Sequence, residues 1–304
     1  MTTINYPDDS IFRSEFREGM RVDWDVPIPM DDGVVLRANV YRPDDEGRYP
    51  VIMSHGPYGK DLHFEEIYKT CWDLMCENHP DVPAGSTNIH QSWEVADPEK
   101  WVPHGYVIIR VDSRGAGRSP GYLEHFGPRE NQDFFDCIEW AGVQPWSNGK
   151  VGLSGISYYA VNQWSVAAMG PKHLAAICPW EGFNDFYREL SYHGGIYSSF
   201  QRHWYDKQIM PIQHGYGDRG FKSRANGELA AGPETLSDEE LKKNRFDLHG
   251  EFSSHPFDDE YYAARTPDLS KITVPVLSCA NWGGAPLHPR CNFNGYMYSS
   301  SEKK

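Results

Sequence analysis

The sequence predicts an α/β fold, a mostly parallel sheet covered by helices with a mainly helical cap inserted into it. Three observations predict it. Short apolar runs of strand length alternate with helix-spaced segments between residues 49 and 180. Residues 181–265 lose that pattern and become polar, aromatic and irregular. The strand pattern then resumes at 266–282 (TPDLSKITVPVLSCANW), with runs of the same kind as those before the break. An insertion explains this better than two independent domains. It divides the chain into a first core part (1–180), a cap (181–265) and a second, incomplete core part (266–304).

The elements follow in order. RVDWDVPIPM (21–30) and VVLRANVYRP (34–43) both alternate apolar and polar residues, and the turn signal DDG (31–33) joins them as a hairpin. YPVIMS (49–54) is a short buried strand ending at HGPYGK. GYVIIRVD (105–112) is another, running into the Gly-rich SRGAGRSPG (113–121). Residues 129–141 place Phe134, Cys137, Ile138 and Ala141 at helical spacing, and Gly142 stops them. KVGLSGIS (150–157) is a strand that turns into the helix YYAVNQWSVAAM (158–169). Gly170 and Pro171 end that helix. LAAICPW (174–180) is a further buried strand.

Composition narrows the function. The 304 residues carry 43 acidic against 29 basic side chains, a formal net charge of −14. That balance repels nucleic acid and anionic membrane surfaces, so neither is expected as a partner. Aromatics at 14% supply ample surface to bury, which excludes a disordered chain. The longest apolar runs, such as VIIRV at 107–111, are far too short to span a bilayer. The N-terminal MTTINYPDDS lacks the charged-then-apolar layout of a signal peptide. The six cysteines are scattered without a CxxC pair, three of them within apolar runs where a reduced, buried thiol is expected. A cytoplasmic location follows as the expectation.

The feature richest in chemistry is GISYY at 155–159, which sets Ser157 at a strand-to-helix junction. A nucleophile on so sharp an elbow needs small neighbours, and Gly155 provides one two residues before it. Tyr159 stands two residues after it, where the simple G-x-S-x-G pattern has glycine. The helix N-terminus beneath Ser157 favours negative charge, and the backbone N–H of Tyr158 faces the place of an oxyanion. HGPYGK (55–60) offers a second donor in the Tyr58 hydroxyl, held by Pro57. The glycines of DSRGAGRSPG (112–121) resemble a phosphate loop only superficially. No Gly-Lys-Ser/Thr follows them, and Pro120 sits where a helix would start. Asp112 or Arg114 is instead expected to brace the floor of the site. His193, His203 and His214 have no metal-site spacing, and no metal or cofactor is expected.

These segments resemble the CocE/NonD serine hydrolases, the family of cocaine esterases, α-amino-acid ester hydrolases and Xaa-Pro dipeptidyl-peptidases. The family's G-x-S-Y-x-G elbow is met by Gly155, Ser157 and Tyr158, with Ala160 in place of the last glycine. PYGK at 57–60 is similar to its tyrosine segment. Asp112, Arg114, Gly115, Gly117, Ser119 and Gly121 match its D-x-RG-x-G-x-S-x-G segment, and EGFNDFYRELSYHGG (181–195) resembles its entry into a cap. The resemblance implies an α/β-hydrolase fold. It also implies a small-molecule ester or peptide substrate, attack by Ser157, and oxyanion stabilisation by the Tyr58 side chain and the Tyr158 N–H. Trp180, Phe183 and Tyr187, at the start of the cap, are candidates for the substrate pocket, against a bland reading in which they merely pack the cap onto the core.

The departures from the family pattern are as informative. Its triad acid lies in a GWYD segment. Here the matching text is NWGG, so Gly283 and Gly284 stand where Tyr and Asp would be. Its triad histidine follows one strand later, and neither that strand, its histidine nor the family's β-rich C-terminal domain has a counterpart in this sequence. His288 reads as a structural residue of an LHPR turn, and Asp206 lies in the cap. The resemblance therefore implies that triad acid and histidine are missing. The alternative to a serine hydrolase is a catalytically incomplete remnant that binds a ligand or partner.

Overall fold

The computed structural model describes residues 11–284 and 287–303. The N-terminal decapeptide, expected to carry no signal, lies outside them. Seven strands form one sheet: β1 (Arg13–Arg17), β2 (Met20–Pro29), β3 (Val35–Arg42), β4 (Tyr49–Gly56), β5 (Val107–Asp112), β6 (Ser147–Ile156) and β7 (Leu174–Trp180). Their spatial order is β1-β2-β3-β5-β4-β6-β7. The first three run antiparallel and β3 pairs antiparallel with β5, whereas β5, β4, β6 and β7 are mutually parallel. The parallel strands carry buried Val, Ile and Leu on both faces because helices cover the sheet on both sides. Helices Pro128–Gly142 and Tyr158–Met169 supply much of that cover through Phe134, Ile138, Trp164 and Val166.

Three elements differ from the sequence reading. A helix at Phe64–Asn78 is closed by a capping box in which the His63 ring accepts from Glu65 N–H and Glu66 reaches back to the His63 N–H. Phe64, Ile67, Tyr68, Cys71, Trp72 and Met75 give it an apolar stripe at helical spacing, although none of its residues is fully buried. A short antiparallel pair, Tyr192–His193 with Ile196–Tyr197, lies in the stretch read as strandless. The expected strand within 266–282 is reduced to isolated bridges, Ile177 with Val276 and Trp180 with Cys279. The hydrogen bonds explain why. Leu277 N–H donates to Ile177, Cys279 N–H to Pro179 and Glu181 N–H to Cys279, but Pro179 has no N–H to complete the ladder.

Residues 181–265 otherwise form short helices, including Phe200–Trp204, Asp238–Lys243 and Leu248–Ser254, packed through an aromatic cluster onto the carboxyl ends of the strands. All six cysteines are free, but only Cys137 and Cys291 are buried. Cys178 and Cys279 are half-buried, because residues 276–279 cover the β7 edge incompletely. No helix among the described residues is long and apolar enough to cross a membrane.

Candidate active site

The site is built on the turn from β6 into the helix Tyr158–Met169. Ser157 sits there with φ 55° and ψ −112°, a conformation that L-residues rarely adopt. Its N–H donates to Trp180 at 2.9 Å, and its carbonyl accepts from Ala160 and Val161 at 2.9 Å each. These bonds hold the strained residue on both sides. Tyr158 is the first helical residue, so its N–H has no acceptor inside the helix and stays available beside Ser157. Tyr159 replaces the usual glycine of the elbow, and the space for its ring comes from elsewhere. A Cβ at Gly56 would lie 2.6 Å from Tyr159 Cε1, and one at Gly155 would overlap Tyr159 Cβ. Gly155 keeps its usual place in the elbow, and the further room comes from Gly56 at the end of β4.

Tyr58 follows β4 and is 4% exposed. Its ring lies edge-on to Tyr158 and Tyr159, with centroids 5.7 and 5.6 Å away. Trp204 donates its indole N–H to the Tyr58 oxygen at 2.9 Å. An indole can only donate, so the Tyr58 hydroxyl keeps its own proton for another acceptor. Burial raises the Tyr58 pKa well above the usual tyrosine value, which keeps that proton in place.

One pocket is lined by Ser157, Tyr58, Tyr158 and Phe183 together with Phe126, Leu190, Phe200, Trp204 and Leu287. Four of the six residues singled out in the sequence therefore meet there. Trp180 contributes only its backbone carbonyl, and its side chain is 49% exposed. Tyr187 packs on Tyr192 and donates to the Pro256 carbonyl, away from the pocket. Trp204 lies within the stretch read as the cap and carries no motif of its own, so only its hydrogen bond to Tyr58 reveals it as part of the site.

Two buried networks support the pocket. Tyr158 donates its hydroxyl to Glu130 at 2.7 Å, and Glu130 also accepts from the Phe126 N–H. Burial pushes the Glu130 carboxyl up to about 7, against the pull of the Tyr158 hydrogen bond. His125 Nδ1 lies 3.4 Å from the Tyr158 hydroxyl, and burial lowers its pKa to about 3. The second network lies under Tyr58. Lys60 Nζ meets Asp25 at 2.8 Å and also pairs with Asp61, while Arg118 reaches Asp25 at 2.9 Å. Burial opposes charge on Lys60, but Asp25, Asp61 and Asp112 outweigh it and hold the ammonium above its ordinary pKa. Asp112 accepts from the N–H groups of Lys60 and Arg118 at 2.7 and 2.9 Å. The Gly-rich loop is thus filled by the protein's own carboxylate, which a Cβ at Gly117 would overlap. Arg114 is spent on Asp133 and Asp32.

The carboxylates at the start of the cap divide by their partners. Asp185 pairs with Arg188, and Glu189 accepts from the N–H groups of Asn184 and Asp185. Glu181 Oε1 is buried without a hydrogen-bond partner. His288 directs Nδ1 to the Gly182 carbonyl at 3.0 Å. Among the described residues no histidine hydrogen-bonds to Ser157, and none forms with other His, Cys, Asp or Glu a cluster able to hold a metal ion.

Residues 32–301 match the family described as X-Pro dipeptidyl-peptidase (S15 family). The cocaine esterase of Rhodococcus sp. (strain MB1 Bresler) is 33% identical over 171 residues, covering 56% of this chain and 25% of that protein. A Streptococcus gordonii Xaa-Pro dipeptidyl-peptidase is 21% identical over 304 residues, 84% of this chain and 38% of that protein. Among solved structures, a CocE/NonD family hydrolase from Staphylococcus aureus is 35% identical with a TM-score of 0.75, over 94% of this chain and 45% of that one. An α-amino acid ester hydrolase, at 16% identity and a TM-score of 0.54, shares the fold. The chain spans less than half the length of each of these proteins.

Proposed function

Because the chain belongs to the X-Pro dipeptidyl-peptidase (S15) family, we propose that it is a serine hydrolase of ester or amide bonds acting through an acyl-enzyme on Ser157. Ser157 Oγ attacks the carbonyl carbon. The Tyr58 hydroxyl and the Tyr158 N–H donate to the oxyanion that forms, and the leaving alcohol or amine departs before water releases the acyl group. The observation that carries the reading is the strained Ser157 in one pocket with a Tyr58 whose oxygen is engaged by Trp204, leaving its proton free to donate. Residues 181–265 act as the cap, since Leu190, Phe200 and Trp204 close the pocket from that side. The lining of Phe126, Phe183, Leu190 and Phe200 suits an apolar acyl group. The names of the relatives favour an ester or a peptide as substrate, and the reduced cysteines fit a cytoplasmic protein.

The test is covalent labelling with a fluorophosphonate, read by mass spectrometry at Ser157, beside turnover of p-nitrophenyl esters. Labelling and turnover that vanish in Ser157→Ala support the reading. A wild type labelled no faster than Ser157→Ala would overturn it in favour of a binding protein.

A further inference from the structure

Helix Pro128–Gly142 starts without a side-chain cap, because Gly127 stands at its N-cap. Glu130, in the first turn, reaches back past that glycine and accepts the Phe126 N–H at 2.7 Å. In a capping box a glutamate at this position returns to the N-cap N–H, so here the bond falls one residue earlier, on the backbone of Phe126. That backbone is strained. Phe126 has φ 57°, a region that bulky L-residues avoid unless their surroundings hold them in it. Glu130 and Phe126 are both buried, so water does not compete for the bond.

The same carboxyl accepts the Tyr158 hydroxyl at 2.7 Å. Phe126 and Tyr158 are thus tied to one group, and their rings stack with centroids 4.3 Å apart and planes 26° from parallel. Both rings line the pocket that holds Ser157. On its other sides the Phe126 ring meets Phe183 and Phe186, with centroids 5.1 and 5.4 Å away. The space these walls leave beside Ser157 is about 10 Å³, room for a single water molecule. The methyl of an acetyl group is of that order, and a hexanoyl chain is not.

We infer that Glu130, by pinning Phe126 as a wall of the pocket, restricts the acyl group taken by Ser157 to short chains such as acetyl. This rests on the hydrolase reading above and narrows it to a substrate class. Phe126 touches the acyl group and determines the specificity. Glu130 acts through Phe126 and is a positioning residue. While its carboxyl holds the Phe126 N–H, the ring cannot leave the pocket without breaking that bond and unstacking from Tyr158. Without the acceptor the strained backbone relaxes, the ring swings aside and longer chains enter.

The experiment measures kcat/KM for p-nitrophenyl acetate and p-nitrophenyl hexanoate at one pH and takes their ratio. The chains compared are wild type, Glu130→Leu, Glu130→Gln, Phe126→Ala, the double variant Glu130→Leu with Phe126→Ala, and Ser157→Ala. Leucine keeps the bulk of Glu130 without an acceptor, whereas glutamine keeps an acceptor oxygen. Wild type is expected to favour acetate, and Glu130→Leu and Phe126→Ala each to lower the ratio about tenfold or more. Glu130→Gln should stay within about threefold of wild type, and the double variant within about threefold of Phe126→Ala, because Glu130 has no effect once the ring is gone. A merely structural Glu130 would lower both rates together and leave the ratio alone. A wild type that favours hexanoate, a ratio unmoved by Glu130→Leu, or a double variant in which the two effects multiply overturns the inference. Should Glu130→Leu not fold, Phe126→Ala decides, and an unchanged ratio there overturns it as well. If wild type turns over neither ester faster than Ser157→Ala, the hydrolase reading itself falls and this inference falls with it.

Discussion

The indole N–H of Trp204 and the hydroxyl oxygen of Tyr58 are 2.9 Å apart, joining the stretch 181–265 to the loop after β4 across 146 residues of sequence. The bond decides which way the Tyr58 proton points. Trp204→Phe keeps the ring but removes the donor, and the freed hydroxyl can then rotate. We expect kcat for an ester to fall about five- to tenfold, the worth of one neutral hydrogen bond. Tyr58→Phe, which deletes the oxyanion donor itself, should cost about a hundredfold or more. Steady-state kinetics check the order, and a Trp204→Phe loss equal to that of Tyr58→Phe would contradict it.

Glu130 makes stability depend on pH. Its carboxyl titrates at about 7 in the fold against an ordinary 4.5, so the folded protein holds that proton more tightly. The stability it contributes is full below about pH 4.5 and is lost as pH rises through 7. The loss should approach about 3 kcal/mol. The groups around Glu130 are the Tyr158 hydroxyl, the Phe126 N–H, a His125 that is neutral over this range, and the carboxylates Asp133 and Glu124, whose charges push its pKa in the same direction as burial. Thermal melts between pH 4.5 and 7.5 should show wild type losing stability relative to Glu130→Gln. Parallel pH profiles for the two proteins would refute the assignment. Asp112 and Glu189, each at about 7, titrate in both proteins and cancel.

Gly56→Ala tests how the elbow accommodates Tyr159. The added Cβ would stand 2.6 Å from Tyr159 Cε1. Tyr58 packs edge-on against that ring from another side, with centroids 5.6 Å apart. Overpacking of this kind costs about 1–3 kcal/mol. Urea unfolding midpoints measure it, and an unchanged midpoint would mean that the ring has room to move.

Lys60→Met should be among the most damaging single changes. It leaves Asp25, Asp61 and Asp112 facing one another, buried, with Arg118 still on Asp25 but the central ammonium gone. Breaking a buried ion pair from one side costs about 3–5 kcal/mol. A loss below about 1 kcal/mol by urea denaturation would show that these carboxylates take up protons without strain.

Much of the fold and part of the site are legible in the sequence. The helix at 158–169 was bounded to the residue, because a strand, a turn serine and the Gly170–Pro171 stop punctuate it locally. The helix at 64–78 carries its signal too, Phe64, Ile67, Tyr68, Cys71, Trp72 and Met75 at helical spacing behind the His63–Glu66 cap, but the sequence reading stops at the loop before it, and that face ends only partly buried. The strand within 266–282 was over-read. Its composition is that of a strand, but Pro179 on the partner strand breaks the ladder.

The sequence by itself determined the elements that depend on neighbours within a few residues: the alternating strands, the elbow that carries Ser157 and the helix start that frees the Tyr158 N–H. Only the tertiary structure decided which distant groups serve them. It brought Trp204 to Tyr58 and Glu130 to Tyr158, took the space for Tyr159 from Gly56, and turned Trp180 and Tyr187 out of the pocket. The physical reason is one of range. Backbone conformation is set by nearby side chains, whereas the partner of a buried hydroxyl or carboxylate is set by packing, which joins residues that the sequence holds far apart.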